Sequence, residues 1–198
     1  FLDHLKSIES IGFTHDLIKN NTKFNELDAL ILPGGESSAM RKIDEYSDVF
    51  PQIDELVKKG IPTLSTCAGT ILLAKEVVGG EAAIPNINIE VTRNAYGRQT
   101  ESFEGNVSFY QNEDIYCFIR APKITKILSD NVEIIAIHND EVVGVLQVIN
   151  KIDGIFTDED EVIMHDLSTA LLAQRLIIVC ISRGLTKMRL SLRNHWSF

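Results

Sequence analysis

The sequence predicts an α/β fold of three layers, in which helices cover a mixed, mostly parallel sheet. Over residues 1–78, apolar runs that stop at glycine or proline alternate with segments of helical periodicity, an order typical of parallel strands with covering helices. From about residue 88 to 149, Gly, Asn and Asp separate short β-rich runs. The 198 residues, 44% of them hydrophobic, are enough for one sizeable domain with its own core.

The N-terminal elements are predicted from periodicity and from the residues that end them. They are a helix from residue 1 to about 11, a strand from Asp28 to Leu32, a helix from about Pro51 to Lys59, a strand from Pro62 to Ser65 and a helix from Thr70 to Val78. Gly12 is expected to end the helix at residues 1–11, and Gly60 the helix from Pro51 to Lys59. Glycine is favoured there because it adopts the left-handed backbone found at helix ends. Ser37 or Ser38 is expected to cap the helix that follows the first strand.

The C-terminal half is predicted to be mainly strands, followed by one long helix. The strands are residues 89–92, 105–110, 115–119, 132–137 and 142–149. The sequence Thr157-Asp158-Glu159-Asp160 has the pattern that begins helices, and predicts a helix from Asp158 to about Ser182. Residues 183–198 contain Arg and Lys without any acidic residue and form a basic tail.

Composition excludes several classes of partner. The net charge is −9 and the isoelectric point about 5.0, whereas nucleic-acid binding requires a basic surface. No apolar run reaches the roughly 18 residues of a membrane span. We therefore expect neither a nucleic-acid nor a membrane partner. The three cysteines, Cys67, Cys117 and Cys180, are too few for a disulfide framework and indicate a reducing, cytoplasmic location. The chain begins at Phe1, and no signal peptide is recognised.

Cys67 is the first candidate for chemistry. It lies between a predicted strand and a predicted helix, in the sequence Thr66-Cys67-Ala68-Gly69. A cysteine on such a turn is held at the carboxyl edge of the sheet, where the helix N-terminus favours its thiolate. This is the cysteine version of a nucleophile elbow. The alternative is an inert core residue, the more common role of a buried cysteine.

Two further segments suggest a ligand site. Pro33-Gly34-Gly35-Glu36-Ser37 can bring backbone N–H groups close to a ligand and supply an oxyanion hole. Its alternative is a turn that only ends a strand. Arg93 and the polar residues after it, up to Gln99, offer a guanidinium suited to a substrate carboxylate. The alternative is a solvated polar loop. Arg120 lies at a strand end before Pro122.

Four segments occur together and in order: LILPGGES (30–37), STCAGTILLAKE (65–76), RNAYGRQTESFE (93–104) and FIRAP (118–122). With their spacing, they resemble the glutaminase subunits of pyridoxal 5′-phosphate synthases, which are class I glutamine amidotransferases with a flavodoxin-like fold. The third and fourth segments are more specific than the cysteine turn, which other class I amidotransferases share. The resemblance covers residues 1 to about 147, which we predict to be an amidotransferase-like domain.

The resemblance implies a reaction and a set of roles. Cys67 would attack the side-chain carboxamide of L-glutamine, while the N–H groups of Gly35 and Ala68 bind the oxyanion. The residues implied to line the glutamine site are Gly35, Glu36, Ser37, Arg93, Ile119 and Arg120. Glutamate and ammonia would be released, and the ammonia passed to a synthase subunit that builds pyridoxal 5′-phosphate (vitamin B6). No cofactor and no metal is implied.

The sequence departs from the family in three places. The family's first central strand and Leu-Gln-Gly loop do not precede the opening helix, so we expect an N-terminally truncated domain of reduced stability. Ser65 stands where glycine is usual, two residues before the nucleophile. The His-Pro-Glu segment is absent, and its nearest match places Thr157 at the base and Glu159 at the glutamate.

Because of the third departure, the residue that acts as general base is not identified. Threonine cannot accept a proton near neutral pH, as histidine can. Glu159 and His165 are the remaining candidates, and their alternatives are a first-turn acid favoured by the helix dipole and a helix-surface histidine. The alternative function is thus a catalytically impaired homologue that retains glutamine or synthase binding.

Residues 142–176 resemble the last strands and final helix of a GAF domain, a small-molecule-sensing module. The match rests on residues 144–151 and 156–160 and spans only about 35 residues. We therefore predict a GAF-like strand and helix at 148–182, an atypical end for this family, and a signalling role is a third hypothesis.

Overall fold

The computed structural model describes residues 2–10, 12–19, 22–97, 99–109, 112–118, 122–148 and 178–182. Its helices are α1 (Leu2–Ser10), α2 (Ser37–Ser47), α3 (Phe50–Lys59) and α4 (Ala68–Leu73), with 3₁₀ turns at Phe24–Glu26 and Gln99–Glu101. Its strands are β1 (Leu30–Leu32), β2 (Thr63–Thr66), β3 (Ala74–Val78), β4 (Ile87–Thr92), β5 (Phe103–Phe109), β6 (Asn112–Phe118), β7 (Lys123–Ile127), β8 (Val132–His138), β9 (Glu141–Val148) and β10 (Ile178–Ser182). None of the described helices is long and apolar enough to cross a membrane.

The strands form two sheets, which confirms the α/β class. The larger has the order β1-β2-β10-β9-β8-β5-β6, and the smaller has the order β3-β4-β7. The expectation of mostly parallel strands is wrong for the described part of the larger sheet, where only β1/β2 and β9/β10 are parallel. A short connection explains the β8/β9 pair, because a two-residue turn can join only antiparallel strands. The β8–β9 turn is of this kind, with Asn139 and Asp140 at φ of 48° and 63°.

The end of the predicted C-terminal helix is also wrong. Ile178–Ser182 forms β10, which pairs antiparallel with β2 and parallel with β9. The run Ile-Val-Cys-Ile is rich in β-branched residues, which favour strands. Pairing on both sides also satisfies backbone groups of β2 and β9 that would otherwise lack partners. Residues 149–177 and 183–198 lie outside the described residues, so the remainder of the GAF-like segment and the basic tail stay predictions.

The helix predicted from Thr70 to Val78 ends early. All six residues of α4 are buried, and the chain then continues as β3, whose residues 74–78 pair in parallel with β4. Val77 and Val78 favour a strand, and the open edge of β4 provides the partner. The helical periodicity of this segment is therefore overridden by tertiary pairing.

Gln147 connects the two sheets. Its side chain is 2% exposed, although it belongs to β9 of the larger sheet. Its Oε1 accepts a hydrogen bond from the backbone N–H of Asn88 at 2.6 Å, and its Nε2 donates to the carbonyl of Asn86 at 3.1 Å. Because Asn88 belongs to β4, this amide links the two sheets by hydrogen bonds.

Replacing Gln147 with leucine is expected to lower the free energy of unfolding by about 1–3 kcal/mol, because two backbone groups lose their partners in a place water reaches poorly. Urea denaturation measures the change. Gln52→Leu is the matched control, since its amide donates to the carbonyl of Asp48 at 3.1 Å at an exposed site. That control should change stability by less than about 0.5 kcal/mol. Equal losses in the two variants would contradict the bridging role of Gln147.

Candidate functional site

Cys67 occupies the sharp turn that the sequence predicts. Its backbone has φ 47° and ψ −105°, directly after β2 and directly before α4. A positive φ is uncommon for a non-glycine residue, and such strained residues cluster at functional sites. The side chain is half-buried, so it is neither a fully enclosed core residue nor a fully solvated one. Its role as nucleophile remains a prediction.

Gly69 lets helix α4 lie directly against strand β1. A methyl group added at Gly69 would place its carbon 2.1 Å from the backbone oxygen of Leu32. No larger residue fits unless the helix and strand separate. Leu32 ends β1, so this contact brings the loop after β1 to the turn of Cys67. Nothing in the local sequence indicates this close approach.

The loop after β1 passes beside Cys67. A methyl group on Gly34 would lie 3.4 Å from the Cβ atom of Cys67 and 3.9 Å from the hydroxyl of Thr66. Gly35 follows in the same loop, and Ala68 begins α4 on the other side of the cysteine. The two predicted oxyanion donors, Gly35 and Ala68, thus belong to the two backbone segments that meet at Cys67.

Glu36, and not Ser37 or Ser38, caps helix α2. The Glu36 carboxylate accepts a hydrogen bond from the backbone N–H of Ser38 at 3.0 Å. A carboxylate both satisfies an unpaired N–H group and complements the positive end of the helix dipole. The expected serine cap is therefore wrong because the longer, charged side chain one residue earlier takes that position.

Arg93 joins this loop from the end of strand β4. Its Nη2 donates to Glu36 Oε1 at 3.1 Å and to Ser38 Oγ at 2.8 Å, and its Nη1 donates to the carbonyl of Gly79 at 3.4 Å. The side chain of Arg93 is 21% exposed. The structure therefore brings Arg93, Glu36 and Ser37 to the loop that contacts Cys67, although Arg93 and Glu36 are 57 residues apart in sequence.

Four predicted residues lie outside the described part of the chain. They are Ile119, Arg120, Glu159 and His165, and their roles stay predictions. Among the described histidines, His138 is buried on β8: its Nδ1 donates to the carbonyl of Asn106 at 2.7 Å, and Asn139 Nδ2 donates to its Nε2 at 3.1 Å. Within the described residues, no group of three or more His, Cys, Asp or Glu side chains could hold a metal ion.

A cluster around Tyr96 was missed by the sequence analysis. The Tyr96 hydroxyl donates to Glu141 Oε2 at 2.7 Å, and Lys123 pairs with Oε1 of the same carboxylate. The hydrogen bond from Lys123, followed by that from Tyr96, lowers the pKa of Glu141. Burial, followed by the nearby carboxylate, raises the pKa of Tyr96. Tyr96 stood within the RNAYGRQ segment, but nothing in the sequence indicated Lys123 or Glu141 as its partners.

Comparison with known proteins identifies the lineage. A sequence model of the SNO glutamine amidotransferase family matches residues 1–167. The chain is 43% identical over 135 residues to pyridoxal 5′-phosphate synthase subunit PdxT of Thermococcus onnurineus, covering 66% of this chain and 68% of the relative. It is 44% identical to PdxT of Bacillus cereus strain AH187, covering 73% and 75%, and 38% identical to PdxT of Pyrococcus furiosus, covering 72% and 76%.

A solved structure agrees with the sequence comparisons. The fold superposes on a crystal structure of a glutamine amidotransferase with a TM-score of 0.66 and 33% identity, covering 74% of this chain and 79% of that one. The family match extends over most of the chain and includes every described residue discussed above for the site. The chain therefore belongs to the SNO glutamine amidotransferase family.

Proposed function

We propose that the chain hydrolyses L-glutamine to glutamate and ammonia, and that the ammonia is passed to a synthase subunit for pyridoxal 5′-phosphate formation. One observation carries the proposal: a half-buried cysteine on a strained turn lies against the Gly34–Gly35 loop, and Arg93 is bound to Glu36, which directly follows that loop. The relatives named as PdxT subunits support the reaction and the synthase partner. The absence of a disulfide framework favours the cytoplasm as its location.

The chemistry follows from the residues at this turn. The thiolate of Cys67 attacks the carboxamide carbon of glutamine, and the carbonyl oxygen takes the negative charge. The N–H groups of Gly35 and Ala68 stabilise that charge. Collapse of the intermediate breaks the C–N bond, and the nitrogen takes a proton and leaves as ammonia. Water then cleaves the γ-glutamyl thioester, which gives glutamate and restores the thiol.

Arg93 and Glu36 suit the backbone end of an amino acid. They place a positive and a negative group 3.1 Å apart beside the loop of the proposed oxyanion hole. A guanidinium binds a carboxylate through paired hydrogen bonds, and a carboxylate binds an ammonium group. A free amino acid carries both groups, so this pair favours an amino-acid substrate over a simple amide.

A second candidate is a homologue that binds glutamine without turning it over. The sequence contains no His-Pro-Glu segment, and Thr157 stands at the matching position. Without a base, the leaving nitrogen and the attacking water lose proton transfer worth roughly 10²- to 10⁴-fold in rate. Glu159 and His165 are the proposed replacements for that base.

Ammonia release from L-glutamine tests the proposal. The purified chain is assayed alone and with a pyridoxal 5′-phosphate synthase subunit from Bacillus cereus, and glutamine binding is measured by calorimetry. We expect ammonia from L-glutamine and none from D-glutamine or L-asparagine. Glutamine binding without ammonia would favour the second candidate. Neither binding nor ammonia, with or without the synthase, would contradict both.

A further inference from the structure

We propose that Tyr96, Glu141 and Lys123 form a positioning cluster that holds Arg93 in place for glutamine; this inference rests on the proposed function. Tyr96 and Arg93 belong to the same short loop after β4, and each is bound to a different part of the molecule. Tyr96 hydrogen-bonds Glu141, at the start of β9, at 2.7 Å, and Arg93 binds Glu36 and Ser38. The loop that carries Arg93 is thus anchored at Arg93 and at Tyr96.

The cluster is connected to strand β4 as well as to the loop that follows it. Lys123 begins β7 and lies in register with Thr92, the residue directly before Arg93. Its ammonium pairs with Glu141, which in turn accepts the Tyr96 hydroxyl. These contacts therefore link Thr92, at the end of β4, to Tyr96, in the loop that directly follows it. Breaking any member removes the hydrogen-bonded link between this loop and β9.

Tyr96 and Arg93 lie in one tight turn, so a change at Tyr96 is expected to reach Arg93. Asn94 and Gly97 have φ of 52° and 79°, which make the loop a tight turn. The Glu101 carboxylate lies beside Gly97, within 2.2 Å of where an added methyl group would be. Only two residues separate Tyr96 from Arg93, and a tight turn leaves little freedom to absorb a shift between them.

Aromatic packing orients the Tyr96 ring. Its centroid is 5.4 Å from that of Phe118 and 6.0 Å from that of Phe103, and the two phenylalanines stack with centroids 4.8 Å apart. These contacts orient the ring of Tyr96, and the hydrogen bond from its hydroxyl to Glu141 holds the loop in position. The raised pKa of Tyr96 keeps the phenol protonated, so it acts as the donor to the Glu141 carboxylate.

Steady-state kinetics of glutamine hydrolysis by the full chain test the cluster. Tyr96→Phe is expected to raise KM for glutamine by about three- to tenfold, less than the full effect of one hydrogen bond to a charged group, because Tyr96 acts on glutamine only through Arg93. The value of kcat should change by less than about twofold, because Arg93 binds glutamine alike before and during the reaction. Glu141→Ala should raise KM at least as much, and Glu141→Gln should recover part of the loss by keeping an acceptor for Tyr96.

Thr125→Val is the matched control. Thr125 Oγ1 donates to Glu90 Oε1 at 2.7 Å, and Lys126 binds the other oxygen of Glu90 at 2.7 Å. As in the Tyr96 cluster, a hydroxyl and a lysine bind the two oxygens of one carboxylate. Here the carboxylate belongs to β4, and neither the hydroxyl nor the lysine belongs to the loop that carries Arg93. We expect KM for glutamine to stay within about 1.5-fold of the unaltered chain, since no binding group is displaced.

Amide hydrogen exchange provides a readout that needs no turnover. The amides of residues 93–97 should exchange faster in Tyr96→Phe and Glu141→Ala, and not in Thr125→Val. Unchanged KM in the two cluster variants, or unchanged exchange in the loop, would overturn the positioning role even if stability fell. If the unaltered chain neither binds nor hydrolyses glutamine, both the proposed function and the role of the cluster in glutamine binding are contradicted. Unchanged kinetics in an active chain overturn the cluster alone.

Discussion

Replacing Cys67 by alanine is expected to reduce ammonia release from glutamine by about 10⁴-fold or more. Alanine cannot form the acyl–enzyme bond, and removal of a catalytic nucleophile typically costs this much in kcat. Binding should survive, because Arg93 and Glu36 are unaltered. The measurement pairs a steady-state ammonia assay with calorimetric titration of glutamine. An accumulated thioester detected by mass spectrometry in the unaltered chain, and missing in the variant, would locate the covalent step at Cys67.

Cys117→Ala is the control for that prediction. Cys117 is also half-buried, but it belongs to β6 and not to the turn between β2 and α4. Its replacement should leave ammonia release within about twofold of the unaltered chain, because it provides no group to the reaction. Retained activity in Cys67→Ala, or equal loss in both variants, would contradict the assignment of Cys67 as the nucleophile.

Replacing Gly69 by alanine is expected to lower the free energy of unfolding by more than about 3 kcal/mol, the upper range for overpacking. The added carbon would lie 2.1 Å from the backbone oxygen of Leu32, so either α4 or β1 must move. Both elements position the site: α4 begins directly after Cys67, and β1 ends before the Gly34–Gly35 loop. Urea denaturation should show the loss of stability, and any folded variant should also release ammonia more slowly.

Gly79→Ala separates steric overlap from backbone strain. Gly79 has φ of 78°, where alanine is disfavoured, but an added methyl group would meet no atom within 4 Å. Its expected cost is about 1–2 kcal/mol, from the left-handed backbone alone. A smaller loss at Gly69 than at Gly79 would show that α4 can withdraw from β1 at little cost, contrary to the prediction.

The sequence correctly predicted those helices and strands whose ends are set by neighbouring residues such as glycine and proline. Gly60 ends α3 with φ of 84°, the left-handed backbone expected of a glycine at the end of a helix. The strand predicted from Asp28 to Leu32 is present as β1, which begins two residues later at Leu30, and the turn at Cys67 lies between a strand and a helix. Prediction failed where a distant partner decided the outcome. The segment after Leu73 became β3 because β4 lies beside it, and Ile178–Ser182 became β10 because β2 and β9 offered a place between them.

The sequence alone determined the family and the residue types of the candidate site, because the motifs around Gly35, Cys67 and Arg93 are short and contiguous. Only the tertiary structure decided which of these groups meet. Arg93 reaches Glu36 across 57 residues of chain, and Gln147 reaches Asn88 across 59. Such contacts depend on strand order and on close approach at Gly69, which periodicity over a few residues does not encode. Tertiary packing therefore sets the geometry on which the proposed glutamine site depends.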